Sequence, residues 1–118
     1  MRVQVRFEPN VAVIELAGRA LGGRDAKLFH GTVQEHLHLG GRNFVVDLGK
    51  VDRMNSTGLG MLMAAHASVR KEGGRFVIAD LTRIESLLSL TRLITVLENY
   101  DTTAEAITRL QSATTAPA

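Results

Sequence analysis

Residues Val51–Val69 read VDRMNSTGLGMLMAAHASV. A short apolar run, NFVVDL, ends just before them, and Leu59, Leu62, Met63, His66 and Val69 then recur at helical spacing. Asn55, Ser56 and Thr57 stand side by side where strand gives way to helix, with Gly58 and Gly60 close behind. A helix start needs one such polar side chain as its cap, so three in a row call for a further reason. A buried strand, a tight turn and an apolar-faced helix make one βα unit.

Outward from this unit the same grammar repeats. NFVVDL is rich in β-branched residues and nearly continuous in apolar character, as in a strand covered on both faces. The helix from 56 to 72 stops at Gly73-Gly74, and RFVIAD follows as a second buried-type strand. Upstream, Val3, Val5 and Phe7 alternate with polar residues, Pro9-Asn10 signals a turn, and VAVIEL supplies the partner strand of a hairpin. Gly18 to Gly23 reads as a loop. Phe29, Val33 and Leu37 then recur every four residues, marking a helix that Gly31 weakens and Gly40-Gly41 ends.

Downstream, Thr82 and Glu85 have capping-box spacing, with Ile84, Leu87 and Leu88 as a helical face. LITVL, from Leu93 to Leu97, reads as a short edge strand. Thr102 and Glu105 form a second capping box before a last helix through Ile107 and Leu110. The expected fold is α/β: a mixed sheet of four to five strands with about four helices packed on it. Residues 1–111 read as one domain and 112–118 as a frayed tail.

Composition narrows the function. The 118 residues are 45 % hydrophobic and 22 % charged, as in an ordinary globular chain. The formal net charge is only +2, the basic residues are scattered and aromatics make up 4 %, which argues against direct nucleic-acid binding. Zero cysteines excludes disulfides, thiolate metal sites and cysteine nucleophiles. The alternating N-terminus is not a secretory signal, and no apolar run reaches the roughly 20 residues that cross a bilayer. The expectation is a cytoplasmic protein without membrane insertion.

Enzyme signatures are missing. There is no Gly-x-Ser-x-Gly elbow, no phosphate loop with Gly-Lys-Ser/Thr and no dinucleotide fingerprint. His36 and His38 are two apart, so on one helix they point to different sides and cannot chelate; no metal or cofactor is expected. His66, on the apolar stripe of its helix, reads as a hydrogen-bonded boundary residue with no second acid or base beside it. The Asn55–Gly58 turn remains. At a helix N-terminus, backbone N–H groups and the dipole favour negative charge, so a hydroxyl there can hold a phosphate once added. Gly58 would let a partner's backbone or a phosphate come close. The alternative is an overdetermined cap in a tight turn, and local physics favours capping.

From about Arg42 to Ile107 the chain resembles the STAS domain of bacterial anti-sigma factor antagonists: a buried strand ending Asp-Leu, a hydroxyl-rich turn before Gly-Leu-Gly, a Gly-Gly break, another strand, a leucine-rich helix and a final Glu-Ala helix. The resemblance implies a switch without catalysis. The unmodified protein binds a GHKL-type anti-sigma serine kinase, phosphorylation of the turn hydroxyl breaks the complex, and a PP2C-type phosphatase restores it. The residue directly before the turn glycine is the phosphoacceptor, which here is Thr57, with Ser56 as second choice. The implied partner surface is Asn55, Ser56, Thr57, Gly58 and Leu59, together with Asp25, which resembles an acidic position near the turn.

Asn55 departs from the usual aspartate of the family, and that puts the rate of phosphorylation in question. A second reading is therefore a STAS subunit docked permanently on a phospholipid ABC transporter, and a third is a nucleotide binder, although no lysine stands beside the turn. The open sheet edge and the helix around Leu87 are surfaces on which a homodimer can form.

Overall fold

Alternation at Val3 and Val5 makes β1 (Arg2–Glu8), and Pro9-Asn10 turns it back into β2 (Val11–Ala20) with Glu8 directly opposite Val11. Asn10 takes φ 64, a left-handed value that asparagine tolerates better than most side chains. The computed structural model describes residues 1–81 and 97–115, and continues with α1 (Arg24–His38), β3 (Asn43–Met54), α2 (Ser56–Lys71), β4 (Arg75–Ala79), β5 (Glu98–Tyr100) and α3 (Thr103–Thr115). The sheet follows chain order, β1-β2-β3-β4-β5, with β1 antiparallel to β2 and every other pair parallel.

Parallel neighbours in chain order need crossovers of one hand, which puts α1 and α2 on the same face. The two apolar clusters agree. Ile14, Val46 and Ile78, adjacent in register, lie under Phe29, Val33 and Leu37 of α1 and Leu59, Leu62 and Val69 of α2. The intervening row, Val13, Val45 and Val77, faces Ala106, Ile107 and Leu110 of α3. Both faces of β3 and β4 are covered, which is why their sequences are continuous in apolar character rather than alternating. Phe29 and Phe76 meet edge to face at 6.4 Å in the larger cluster.

The central strands are longer than their apolar runs. β3 continues twelve residues to Met54, through a polar GKVDRM in which Val51 and Met54 are buried while Lys50, Asp52 and Arg53 are exposed. β2 likewise runs through Gly18 to Ala20, so the expected loop shrinks to Leu21–Gly23. Register shifts between Glu15/Ala17 and Gly18/Arg19, with Gly18 at φ 90, let the two strands stay paired past the point where alternation fails.

The last strand among the described residues is Glu98–Tyr100, directly after LITVL. Its three residues are polar or half-buried and pair with Val77–Ala79, so no apolar signal marks them, while Leu97 just before is buried. Residues 82–96, carrying the expected helix with Thr82, Glu85, Ile84, Leu87 and Leu88 and most of LITVL, lie outside the described residues. The Thr102 cap is present, its Oγ1 accepting from Glu105 N at 3.1 Å. α3 carries helical backbone past Gln111 to Thr115, beyond where the composition suggests fraying.

Gly31 sits in mid-α1, exposed, with nothing within 4 Å of where a Cβ would stand. Gly31→Ala is expected to stabilise the fold by up to about 1 kcal/mol, read as a raised urea midpoint at unchanged slope.

Candidate functional site at the start of the second helix

Strand β3 delivers the chain to Met54, and Asn55 makes the turn. Its backbone is extended, at φ −104 and ψ −177, and its Oδ1 accepts from Gly58 N at 2.8 Å. Leu59 N donates to the Asn55 carbonyl at 2.9 Å. Asn55 is therefore the cap. Ser56 and Thr57 occupy the exposed first helical turn, and among the described residues neither hydroxyl takes part in a hydrogen bond. No acidic side chain lies in that first turn, while Arg70 and Lys71 occupy the last, so the positive end of the dipole is left without a side-chain counter-charge on the helix.

Two glycines hold the turn in place. A Cβ on Gly58 would stand 1.9 Å from the Ala20 carbonyl oxygen and 3.2 Å from Met54 Cγ. The close approach that Gly58 permits is thus made by the end of β2, and not by an outside backbone or phosphate as the sequence suggested. A Cβ on Gly22, which has φ +89, would stand 2.3 Å from Thr57 Cγ2. Thr57 therefore rests its methyl on the Gly22 backbone, a contact that sequence reading missed and that the Gly22-Gly23 pair hinted at only as a turn.

The remaining expected residues divide. Gly58 and Leu59 are buried, Leu59 in the core against α1, and support the turn from beneath. Asp25 begins α1 next door, its N–H donating to the Gly22 carbonyl at 3.2 Å. Its carboxylate lies 3.6 Å from the Met1 amino group. The exposed surface around Thr57 is instead small and uncharged along α2: Ser56, Gly60, Ala64 and Ala67. Leu21, 42 % exposed, adds apolar area from the neighbouring loop. Between the helices, Ala26, Lys27, His30, Met61 and Ala64 line an open cleft of about 270 Å³. Small side chains leave the start of α2 open to close approach, and the cleft between the helices is open rather than enclosed.

The histidines do other work. His36 Nδ1 lies 2.7 Å from the Thr32 carbonyl on its own helix, and its ring packs at a tilt against Phe7 with centroids 5.4 Å apart. His66 packs edge to face on Phe76 at 6.1 Å. Burial, and then the Arg70 guanidinium, hold its pKa below the usual imidazole value. Among the described residues no three His, Asp or Glu side chains gather to hold a metal, and no helix is long and apolar enough to cross a membrane.

Three comparisons place this geometry among known proteins. The sequence profile of a family described as "Mlab, STAS domain" matches residues 3–98. A Thermotoga neapolitana protein named as an anti-sigma factor antagonist is 32 % identical over 101 residues, spanning 84 % of this chain and 89 % of its own. The crystal structure of a Thermotoga maritima protein named for the same role superposes with a TM-score of 0.80 at 25 % identity, covering 92 % of this chain and 94 % of that one. SpoIIAA of Bacillus, solved in its phosphorylated form, gives a TM-score of 0.69 at 16 % identity over 92 % of this chain and 98 % of its own, a likeness of fold.

Gly58→Ala should cost at least about 1–3 kcal/mol, because the Ala20 backbone cannot yield as a side chain can, whereas Gly60→Ala should leave the fold intact or slightly stabilised. Paired denaturant curves check both. Because the folded pKa of His66 is lowered, the unfolded state binds more protons as pH falls through the imidazole range. Stability should therefore be full above the unfolded value and decline as pH drops towards the folded one, and His66→Gln should flatten that part of the pH–stability curve.

Proposed function

We propose that this chain, which belongs to the STAS domain family, works as an anti-sigma factor antagonist: a docking module with no reaction of its own. Its partner in this reading is a GHKL-type anti-sigma serine kinase, engaged through the exposed first turn of α2 and the apolar residues beside it. The partner transfers a phosphoryl group to the Thr57 hydroxyl, and a PP2C-type phosphatase removes it. The observation that carries the reading is the division of labour at the turn. Asn55 supplies the cap, so Thr57 is exposed at a helix N-terminus without a cap to maintain.

The physics of a switch follows. A phosphate brings about −1.5 to −2 charges and three acceptor oxygens. The helix N-terminus stabilises it within the free protein. Against a partner surface fitted to a neutral hydroxyl and small side chains, the same group must be desolvated without a counter-charge, which opposes docking. A second reading, constitutive docking as on a phospholipid ABC transporter, is favoured by one feature. Asn55 offers no carboxylate to align the acceptor hydroxyl, and its Oδ1 is already committed to Gly58 N.

Intact-mass and peptide mass spectrometry on protein from its native cells, in growth and under stress, separates the two. The switch predicts phosphate at Thr57 that varies with condition. It also predicts at least a tenfold loss of kinase binding in Thr57→Glu, with binding kept and phosphorylation abolished in Thr57→Val. A Thr57 that is never modified, in a chain that co-purifies with a transporter ATPase, would establish the second reading instead.

A further inference from the structure

We propose that two copies of this chain form a two-fold dimer by pairing the outer edges of their β1 strands, antiparallel and centred on Val5. β1 ends the sheet, and among the described residues its sole strand neighbour is β2. All seven of its residues pair with β2 without a bulge, and its proline lies outside the strand, in the turn. In a two-residue hairpin the residues flanking the loop exchange both hydrogen bonds, and the pattern alternates from there. Glu8, Arg6, Gln4 and Arg2 therefore bond to β2, while the N–H and C=O groups of Val3, Val5 and Phe7 face outward. An uninterrupted row of such groups is a template for another strand.

The charges on this strand select a second copy and one register. Centring on Val5 overlaps the whole of Arg2–Glu8. It sets Val5 opposite Val5, Val3 opposite the second copy's Phe7, and Arg2 opposite the second copy's Glu8. Each of the outward-facing residues then meets another, so the hydrogen-bond phase is met as well. Sliding by two residues one way brings Arg2 opposite Arg6, and sliding the other way brings Arg6 opposite Arg6; like charges directly opposite are unfavourable. The pairing also covers an apolar side chain that the single chain leaves open. Phe7 is 69 % exposed, with the His36 ring as its aromatic contact. Glu8 already lies 3.7 Å from Arg6 Nε in its own chain, so in the dimer its carboxylate sits between two guanidinium groups.

The test is sedimentation of the full, untagged chain across a concentration series from micromolar to millimolar, with far-ultraviolet circular dichroism to confirm folding of every variant. A reversible dimer is expected. Glu8→Arg and Arg2→Glu should each weaken it by roughly tenfold, and the double exchange should recover most of the loss. A second measurement uses the absence of cysteine from the chain. Opposed Cα atoms in a hydrogen-bonded pair stand about 5.5 Å apart, within disulfide reach. Val5→Cys should therefore cross-link to itself on mild oxidation, and Val3→Cys should not. A monomer at every concentration, a dimer indifferent to both single exchanges, a double exchange without recovery, or equal cross-linking at 3 and 5 would each overturn the proposal. None of these outcomes bears on Thr57.

Discussion

The seat of α2 on the end of β2 is the contact on which the rest of the molecule turns. There is no room for even one carbon between Gly58 and the Ala20 carbonyl. That approach requires β2 and β3 to end side by side, which they do only because both strands continue, Ala20 opposite Met54, past the slips in their register. It also sets the height at which the loop Leu21–Gly23 crosses, and so puts Gly22 against the Thr57 methyl. One backbone contact thereby fixes the strand ends, the loop and the side chain proposed as the switch.

Burial on two faces explains why most of the fold was legible in the sequence. The rows Val13-Val45-Val77 and Ile14-Val46-Ile78 pack against opposite helical layers. Residues with such duties must be apolar whatever their neighbours are, so β3 and β4 announce themselves as runs. Helices α1 and α2, with one covered face each, announce themselves by their period. Where one side of a strand meets solvent or the sheet's edge, that pressure lapses. GKVDRM and Glu98–Tyr100 are held in the sheet by backbone pairing, which leaves no trace in side-chain polarity, and both were missed for that reason.

The site was legible in its location and not in its division of roles. Three polar residues at a strand–helix junction point to the turn, but whether Asn55, Ser56 or Thr57 caps depends on which side chain reaches Gly58 N, and that is decided by the extended backbone at Asn55. The role of Gly58 was misread because glycine signals only that something comes close. Ala20, thirty-eight positions earlier in the chain, is identified as that neighbour only by the parallel register. Asp25 illustrates the same limit: its place at the start of a helix was visible, but its neighbour, the Met1 amino group, was not.

The face around Thr57 and the β1 edge make different demands on the chain and do not compete. The face around Thr57 lies at the carboxyl ends of the parallel strands, where a helix start can accept charge and small side chains admit a partner. The β1 edge runs along the side of the sheet, where backbone groups provide the attraction and Arg2, Arg6 and Glu8 provide the choice of register. Antiparallel pairing of two β1 strands points the carboxyl ends of the two sheets in opposite directions. The two Thr57 turns then stand at opposite ends of one continuous sheet, each with its own approach. A dimer built this way would bind two partners independently, and phosphorylation of one copy would leave the other free to dock.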